Sequence, residues 1–185
     1  MKKKLLAVAV IAICLSLTAY GTWAYFTAED ITHNVITSGD IDIELLEWAD
    51  EEKTIPFPED GVSGVMPGTE VTKIAEVTNT GGNDAWIRVT VEKSFTLAGS
   101  GTADPSLMVI DFDKDNWTEK DGYYYYNAIL KPGETTTPLF ASVSFDAAGM
   151  GNEYQKSTAT VDVTAYAVQV ANNGETALDA QGWPD

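Results

Sequence analysis

The strongest constraint on the fold of this chain is a repeated alternation of apolar and other side chains. Apolar residues recur at every second position in 41–45, 87–91, 139–145 and 161–165, with mostly polar residues between them. A period of two is the period of a strand that buries one face. The sequence therefore predicts a chain built from strands and not from helices.

The pattern predicts strands at about 40–47, 70–79, 85–96, 107–112, 123–130, 139–146 and 158–170. Turn-forming pairs such as Pro67-Gly68, Asp121-Gly122 and Pro132-Gly133 separate them. So many antiparallel strands in one chain of this size indicate an all-β fold, a two-sheet sandwich. Residues 49–64 are predicted as an excursion between strands. Residues 175–181 are predicted as a short C-terminal helix that ends at Gly182.

The first 24 residues have the composition of an export signal. Three lysines precede an apolar run from Leu5 to Tyr20, and small residues follow it. The run is shorter than the roughly 20 residues of a membrane-spanning helix. Cleavage after Ala24 is expected to start the mature chain at Tyr25; a cut after Gly21 and an uncleaved anchor are the alternatives. We thus expect a signal peptide in 1–24, one β-sandwich domain in 25–185, an extracellular or cell-surface location and no membrane attachment after cleavage.

The mature chain is expected to be strongly acidic. Without Lys2, Lys3 and Lys4, eight basic residues remain against 28 acidic ones, a formal charge of −20. Such a surface repels nucleic acid and anionic membranes, so neither is an expected partner. The charge is compatible with simple solubility and with an assembly that waits for cations or lower pH.

Residue types that catalysis requires are scarce. Cys14, the single cysteine, lies in the expected signal, so the mature chain has neither a disulfide nor a catalytic thiol. His33 is the single histidine, and neither an H-E-x-x-H nor a G-x-S-x-G motif is present. We therefore expect no enzyme of the zinc peptidase or serine hydrolase type.

The best candidate cation site is an acidic segment, in which Asp111, Asp113 and Asp115 stand at every second position. This spacing resembles the first half of a calcium loop. Asn116 stands where the turn glycine of an EF-hand belongs, and Gly122 stands where its bidentate glutamate belongs. A weak Ca²⁺ site is the remaining hypothesis, and no other cofactor is expected.

A run of aromatic residues offers a second candidate site. Tyr123 to Tyr126, together with Trp117, suggest a surface on which sugar rings stack. Because strand residues alternate between faces, two of the four tyrosines share a side. Core packing is the competing explanation.

Several patches, in this order and spacing, resemble one family. They are Gly21-Thr22-Trp23-Ala24 before Tyr25-Phe26, the stretch 38–45, Met66-Pro67-Gly68, Val77-Thr78-Asn79-Thr80-Gly81, Trp86-Ile87-Arg88-Val89, the four tyrosines before Lys131-Pro132-Gly133, and 165–169. The chain resembles the TasA/camelysin family, exported proteins of Gram-positive bacteria that a dedicated signal peptidase, SipW, processes. The resemblance implies a jelly-roll-like sandwich and fibres built by strand donation. It also implies an alternative, because camelysin relatives are classed as metallopeptidases.

These observations favour a structural protein of the extracellular matrix over an enzyme. The expected donor strand is the new N-terminal segment, whose apolar residues are Tyr25, Phe26, Ile31, Val35 and Ile36. Expected partners are the SipW-type peptidase, further copies of the chain and other matrix proteins. A camelysin-like cell-surface metallo-endopeptidase and a passive envelope-binding module remain the alternatives.

Overall fold

A computed structural model describes residues 34–38, 41–58, 62–63 and 66–184. These residues form ten strands, and no α-helix occurs among them. The strands are β1 (Asn34–Ser38), β2 (Ile43–Trp48), β3 (Val62–Ser63), β4 (Glu70–Asn79), β5 (Ala85–Thr96), β6 (Met108–Ile110), β7 (Trp117–Lys120), β8 (Tyr123–Tyr126), β9 (Phe140–Phe145) and β10 (Thr158–Gln169).

The strands form two sheets. Sheet 1 has the order β1-β10-β5-β8-β7, and β3 also pairs with β10. Sheet 2 has the order β2-β4-β9-β6. Every ladder between these strands is antiparallel except the one between β1 and β10, which is parallel. The prediction of an all-β, two-sheet antiparallel sandwich is confirmed.

The sheets bury their inward side chains against each other. In β5 and β10, Ile87, Val89, Ala165 and Ala167 are almost fully buried, and their neighbours in sequence point to the opposite face. From sheet 2, Leu45, Val77 and Phe140 meet them in the same apolar core. Burial of one face in each sheet is the physical origin of the period of two in the sequence.

All seven predicted strands are present, with shorter ends in several cases. β7 was not predicted because its sequence, Trp-Thr-Glu-Lys, contains a single large apolar residue. The hairpin with β8 is fixed by its turn, where Asp121 and Gly122 have φ of 53° and 81°. Two successive positive φ values are typical of a type I′ turn, whose twist matches that of a hairpin.

The predicted short C-terminal helix is wrong. Residues 175–181 form turns, in which Asp179 N–H donates to Thr176 O over 3.2 Å and Thr176 Oγ1 bonds to Asp179 Oδ2 over 2.7 Å. A segment this short is a marginal helix on its own. Instead it packs two alanines, Ala177 and Ala180, onto the outer face of sheet 1.

Candidate functional site

The described part of the expected donor segment is β1, which forms an edge of sheet 1. Its parallel ladder with β10 joins Asn34 to Thr164 at one end and Ser38 to Val168 at the other. Val35 packs against the main core, and Ile36 is half-buried on the opposite face. Within this one chain, therefore, the strand pairs with its own sheet.

The other candidate donor residues, Tyr25, Phe26 and Ile31, lie outside the described residues, as do the expected cleavage site Ala24–Tyr25 and His33. The register of β1 nevertheless defines the edge that these residues precede.

The edge of β10 is filled in two separate places. β1 covers residues 164–168, and β3 covers Thr158 and Ala159. No described strand pairs with 160–163 on this side. Next to this gap an apolar crevice opens between the sheets, lined by Phe57, Val71, Lys73, Met108, Val143, Phe145, Ala159 and Val161.

One wall of the crevice carries a buried ion pair. Lys73, which is 2% exposed, pairs with Glu47, and its ammonium lies 4.0 Å from the centre of the Phe57 ring. Burial lowers the pKa of Lys73, and the Glu47 carboxylate acts in the opposite direction. Glu47 belongs to the edge strand β2, and its carboxylate points inwards to Lys73. An inward charge on an edge strand opposes the pairing of that edge with other chains.

The two edges of sheet 2 are protected against such pairing. At β2, the chain turns back so that Phe57 N–H donates to Glu47 O over 2.9 Å and Ala49 N–H donates to Ile55 O over 2.8 Å. Pro56 lies in this return segment and bridges to Trp48. The other edge, β6, is three residues long. Short strands, prolines and covering loops are ordinary means of protecting an edge.

The edges of sheet 1 differ from each other. β7 exposes Glu119 and Lys120, a charged pair that discourages strand addition. β1, with the sequence Asn-Val-Ile-Thr-Ser, contains neither a charge nor a proline. Among the edge strands that the structure describes, β1 therefore has the least protection.

The carboxylates of the acidic segment accept hydrogen bonds from nearby backbone and side-chain donors. Asp111 Oδ1 accepts from Ser142 N–H over 2.7 Å and so ties the segment to β9. Asp113 accepts from the backbone of Asp115 and Asn116 over 3.0 and 3.2 Å. The Asn116 side chain also donates to it and, as the largest cause, holds its pKa below the usual value. Across the described residues, no three His, Cys, Asp or Glu side chains are arranged to hold a metal ion.

The candidate aromatic residues are divided between the core and the outer face of sheet 1. Trp117 is 2% exposed and packs in the main core, where its ring lies 5.0 Å from that of Tyr126. Tyr124 also packs inwards, and its ring stacks on Phe112 at 4.2 Å. Burial, with the charge of Glu119, raises the pKa of Tyr124 to about 12. Tyr123 and Tyr125 alone lie on the outer face, so the alternation of strand residues divides the four tyrosines as expected.

Comparison with known proteins adds one finding. Residues 1–104 match the family described as camelysin metallo-endopeptidase. No curated protein and no solved structure matches the chain. No helix within the described residues has the length and apolar character needed to cross a membrane.

Proposed function

The chain belongs to the camelysin metallo-endopeptidase family, and from the edge position of β1 we propose that it is a secreted structural protein of an extracellular, biofilm-type matrix. It assembles into fibres, or decorates them, by donating its N-terminal strand to a neighbouring copy. A SipW-type signal peptidase releases that strand by cutting before Tyr25. Other matrix proteins are its further partners.

The observation that carries this proposal is the position of β1. It lies at an edge of sheet 1, has few protective features and follows directly on the segment that cleavage would free. The same five residues pair with β10 through main-chain groups, which a neighbour's copy supplies equally well.

Assembly should depend on pH and salt. A mature chain with a formal charge of −20 should stay largely monomeric at neutral pH and low salt, because like charges repel. Lower pH neutralises carboxylates, and salt or divalent cations screen them, so fibres should appear under either condition. Electron microscopy of the mature protein across pH and salt tests the proposal. A protein that never polymerises in this range contradicts it and favours an envelope-binding role.

Two loops should remain intact in mild acid during this experiment. Hydrogen bonds, chiefly those from the side chains of Thr54 and Asn116, lower the pKa values of Asp50 and Asp113 respectively. A lowered folded-state pKa stabilises the fold above the unfolded value of about 4, and that stabilisation is lost as pH falls through the folded value. These loops should therefore persist at about pH 5, so that assembly can be separated from acid unfolding.

The second candidate function is the proteolysis that the family's description names. A zinc peptidase needs three protein ligands, commonly histidines with one carboxylate, and a position for water. The described residues contain no histidine and no suitable cluster of acidic side chains. The residues that the structure describes therefore do not fit that metal.

We therefore expect the purified protein not to hydrolyse casein, and we expect a chelator to change nothing. Casein cleavage followed through successive chromatographic steps, with and without chelator, is the measurement. His33→Ala is the matched variant, because His33 is the single histidine of the chain. Chelator-sensitive activity that co-purifies with the protein and disappears in His33→Ala would establish the peptidase instead.

A further inference from the structure

Residues 175–184, here called the strap, cross the outer face of sheet 1. Beneath them lies a second apolar cluster, separate from the main core, that consists of Trp86, Tyr125, Val168, Ala177 and Ala180. The strap has no strand pairing of its own among the described residues, so side-chain contacts hold it. Segments held in this way open with a lower free energy than the core that supports them.

The strap is fastened by the single arginine of the chain. Arg88, on β5, is 9% exposed, and its Nη2 donates to Pro184 O over 2.8 Å. Its guanidinium lies 3.9 Å from the ring centre of Tyr123, 4.8 Å from that of Trp183 and 5.0 Å from that of Tyr166. Cation–π contacts of this kind are strongest where water is excluded. Arg88 thus joins the strap, through Trp183, to two different strands of the sheet.

A second fastening lies at the base of the strap. The Asn173 side chain donates to Gln169 O and Gln181 O over 3.1 and 3.0 Å, and its Oδ1 accepts from Gln181 N–H over 2.7 Å. Gly174 has φ of +76°, and a Cβ there would lie 3.0 Å from the backbone of Ala180. These bonds hold the start of the strap in place, whereas the contacts of Arg88 with Trp183 and Pro184 hold its far end against the sheet.

The closed strap is linked through Arg88 to β10, the strand next to β1. Tyr166 of β10 contacts Arg88, and its ring packs edge-on against that of Tyr123 at 5.8 Å. On its other side, Tyr166 is the register partner of Ile36 in β1. Paired residues on neighbouring strands point to the same face of a sheet, so Ile36 flanks the Tyr166 ring. Loss of β1 removes Ile36 from beside Tyr166, and loss of the strap removes the Trp183 and Pro184 contacts that hold Arg88 against Tyr166.

We propose that the strap and the strand at the edge of β10 stabilise each other through Tyr166, so that a closed strap strengthens strand binding at that edge. Such coupling between two sites is reciprocal by thermodynamic necessity. Its role in fibres rests on the proposed function, since the strand would there come from a neighbour. The coupling itself is a property of one chain and is measurable without any fibre.

Hydrogen exchange read by mass spectrometry tests the coupling on the purified protein at neutral pH and low salt. Trp183→Ala should accelerate amide exchange about fivefold or more in the strap and also in Asn34–Ser38. In the reverse direction, Ile36→Ala should accelerate exchange in the strap. Exchange in β9, which lies in sheet 2, should be unchanged in both variants.

Leu178→Ala is the matched control, because Leu178 lies in the strap but is 36% exposed and outside the apolar cluster. It should leave β1 at the wild-type rate. Arg88→Lys, which keeps the charge and loses the planar stacking, gives a second opening variant and should act like Trp183→Ala. The proposal would be overturned if exchange became faster in the strap of Trp183→Ala while β1 kept its wild-type rate. It would also be overturned if Ile36→Ala left exchange in the strap unchanged. Failure of the protein to form fibres would instead overturn the proposed function and leave the exchange result intact.

Discussion

Replacement of Asn79 by alanine is expected to lower the free energy of unfolding by about 3 kcal/mol, since it removes three hydrogen bonds that are each worth about 0.5–1.5 kcal/mol. Asn79 is fully buried at the end of β4. Its Nδ2 donates to Asn83 O and Leu130 O over 2.8 and 2.9 Å, and its Oδ1 accepts from Gly81 N–H over 3.0 Å. Alanine removes all three bonds and opens a small cavity.

Urea unfolding of the two proteins measures this difference. Thr78→Ala is the matched control, because the neighbouring Thr78 bonds only through an exposed hydroxyl, to Thr135 at 2.8 Å. A surface change of that kind should alter stability by less than about 0.5 kcal/mol. A loss below about 1 kcal/mol for Asn79→Ala would mean that water replaces the missing amide and that the loop is not fixed by it.

Asn79 also gives a structural reason for the motif Val77-Thr78-Asn79-Thr80-Gly81. Gly81 lies two residues after Asn79, and a Cβ on it would lie 2.8 Å from Asp42 N. Any other residue at this position would therefore have to displace the backbone of Asp42. The side chain of Asn79 then binds the same turn and the segment before β5. The motif therefore links β4 of sheet 2 to the segment before β5 of sheet 1, a role that the sequence alone does not indicate.

The sequence predicted those parts of the fold in which one periodic face is buried. β4, β5 and β10 have nearly the bounds that alternation indicated. Alternation cannot distinguish a parallel from an antiparallel neighbour, so the parallel pairing of β1 with β10 was not predictable from it. It also carries no signal for the strap, whose position depends on side chains 50 to 100 residues away in sequence, among them Arg88 and Tyr123.

The candidate site was predictable only as a segment. Val35 and Ile36 are apolar and follow the expected cleavage site, and these two features indicate a donor segment in the sequence. The structure places both residues in an edge strand. The acidic residues form a metal-like spacing, yet Asp111 binds a backbone N–H of β9 and Asp113 binds backbone N–H groups of its own loop. Spacing along the chain does not reveal whether carboxylates converge or turn to local donors.

Deletion of residues 25–36 is expected to abolish fibres and to leave a folded, β-rich monomer. The deletion removes the proposed donor, including part of β1, whereas the main core between the two sheets remains. Circular dichroism checks the fold, and electron microscopy under the salt conditions that assemble the intact mature protein checks assembly. Ordered fibres of unchanged width from the truncated protein would mean that the N-terminal strand is not the donor.

A reversible version of the same test locks β1 in place. Asn34 and Thr164 are register partners, and neighbouring strands lie about 4.8 Å apart, within the span of a disulfide. The double variant Asn34→Cys, Thr164→Cys should therefore close a disulfide within the monomer, since the mature chain has no other cysteine. Oxidised protein should not assemble, and reduction should restore assembly. Assembly of the oxidised protein would show that β1 need not leave its own sheet.

The central claim, that β1 of one copy takes its place on β10 of the next, is tested most directly by mixing two singly substituted mature proteins, Asn34→Cys and Thr164→Cys. Neither monomer can cross-link internally, so fibres assembled by salt from the mixture and then oxidised should yield reducible dimers of one chain of each kind. Asn34→Cys mixed with Val109→Cys is the control, because Val109 is 54% exposed on β6 of the other sheet. Abundant 34–164 dimers from fibres, and none from the control mixture, are the expected result. Fibres that form normally but give no 34–164 cross-link would contradict strand donation at this edge.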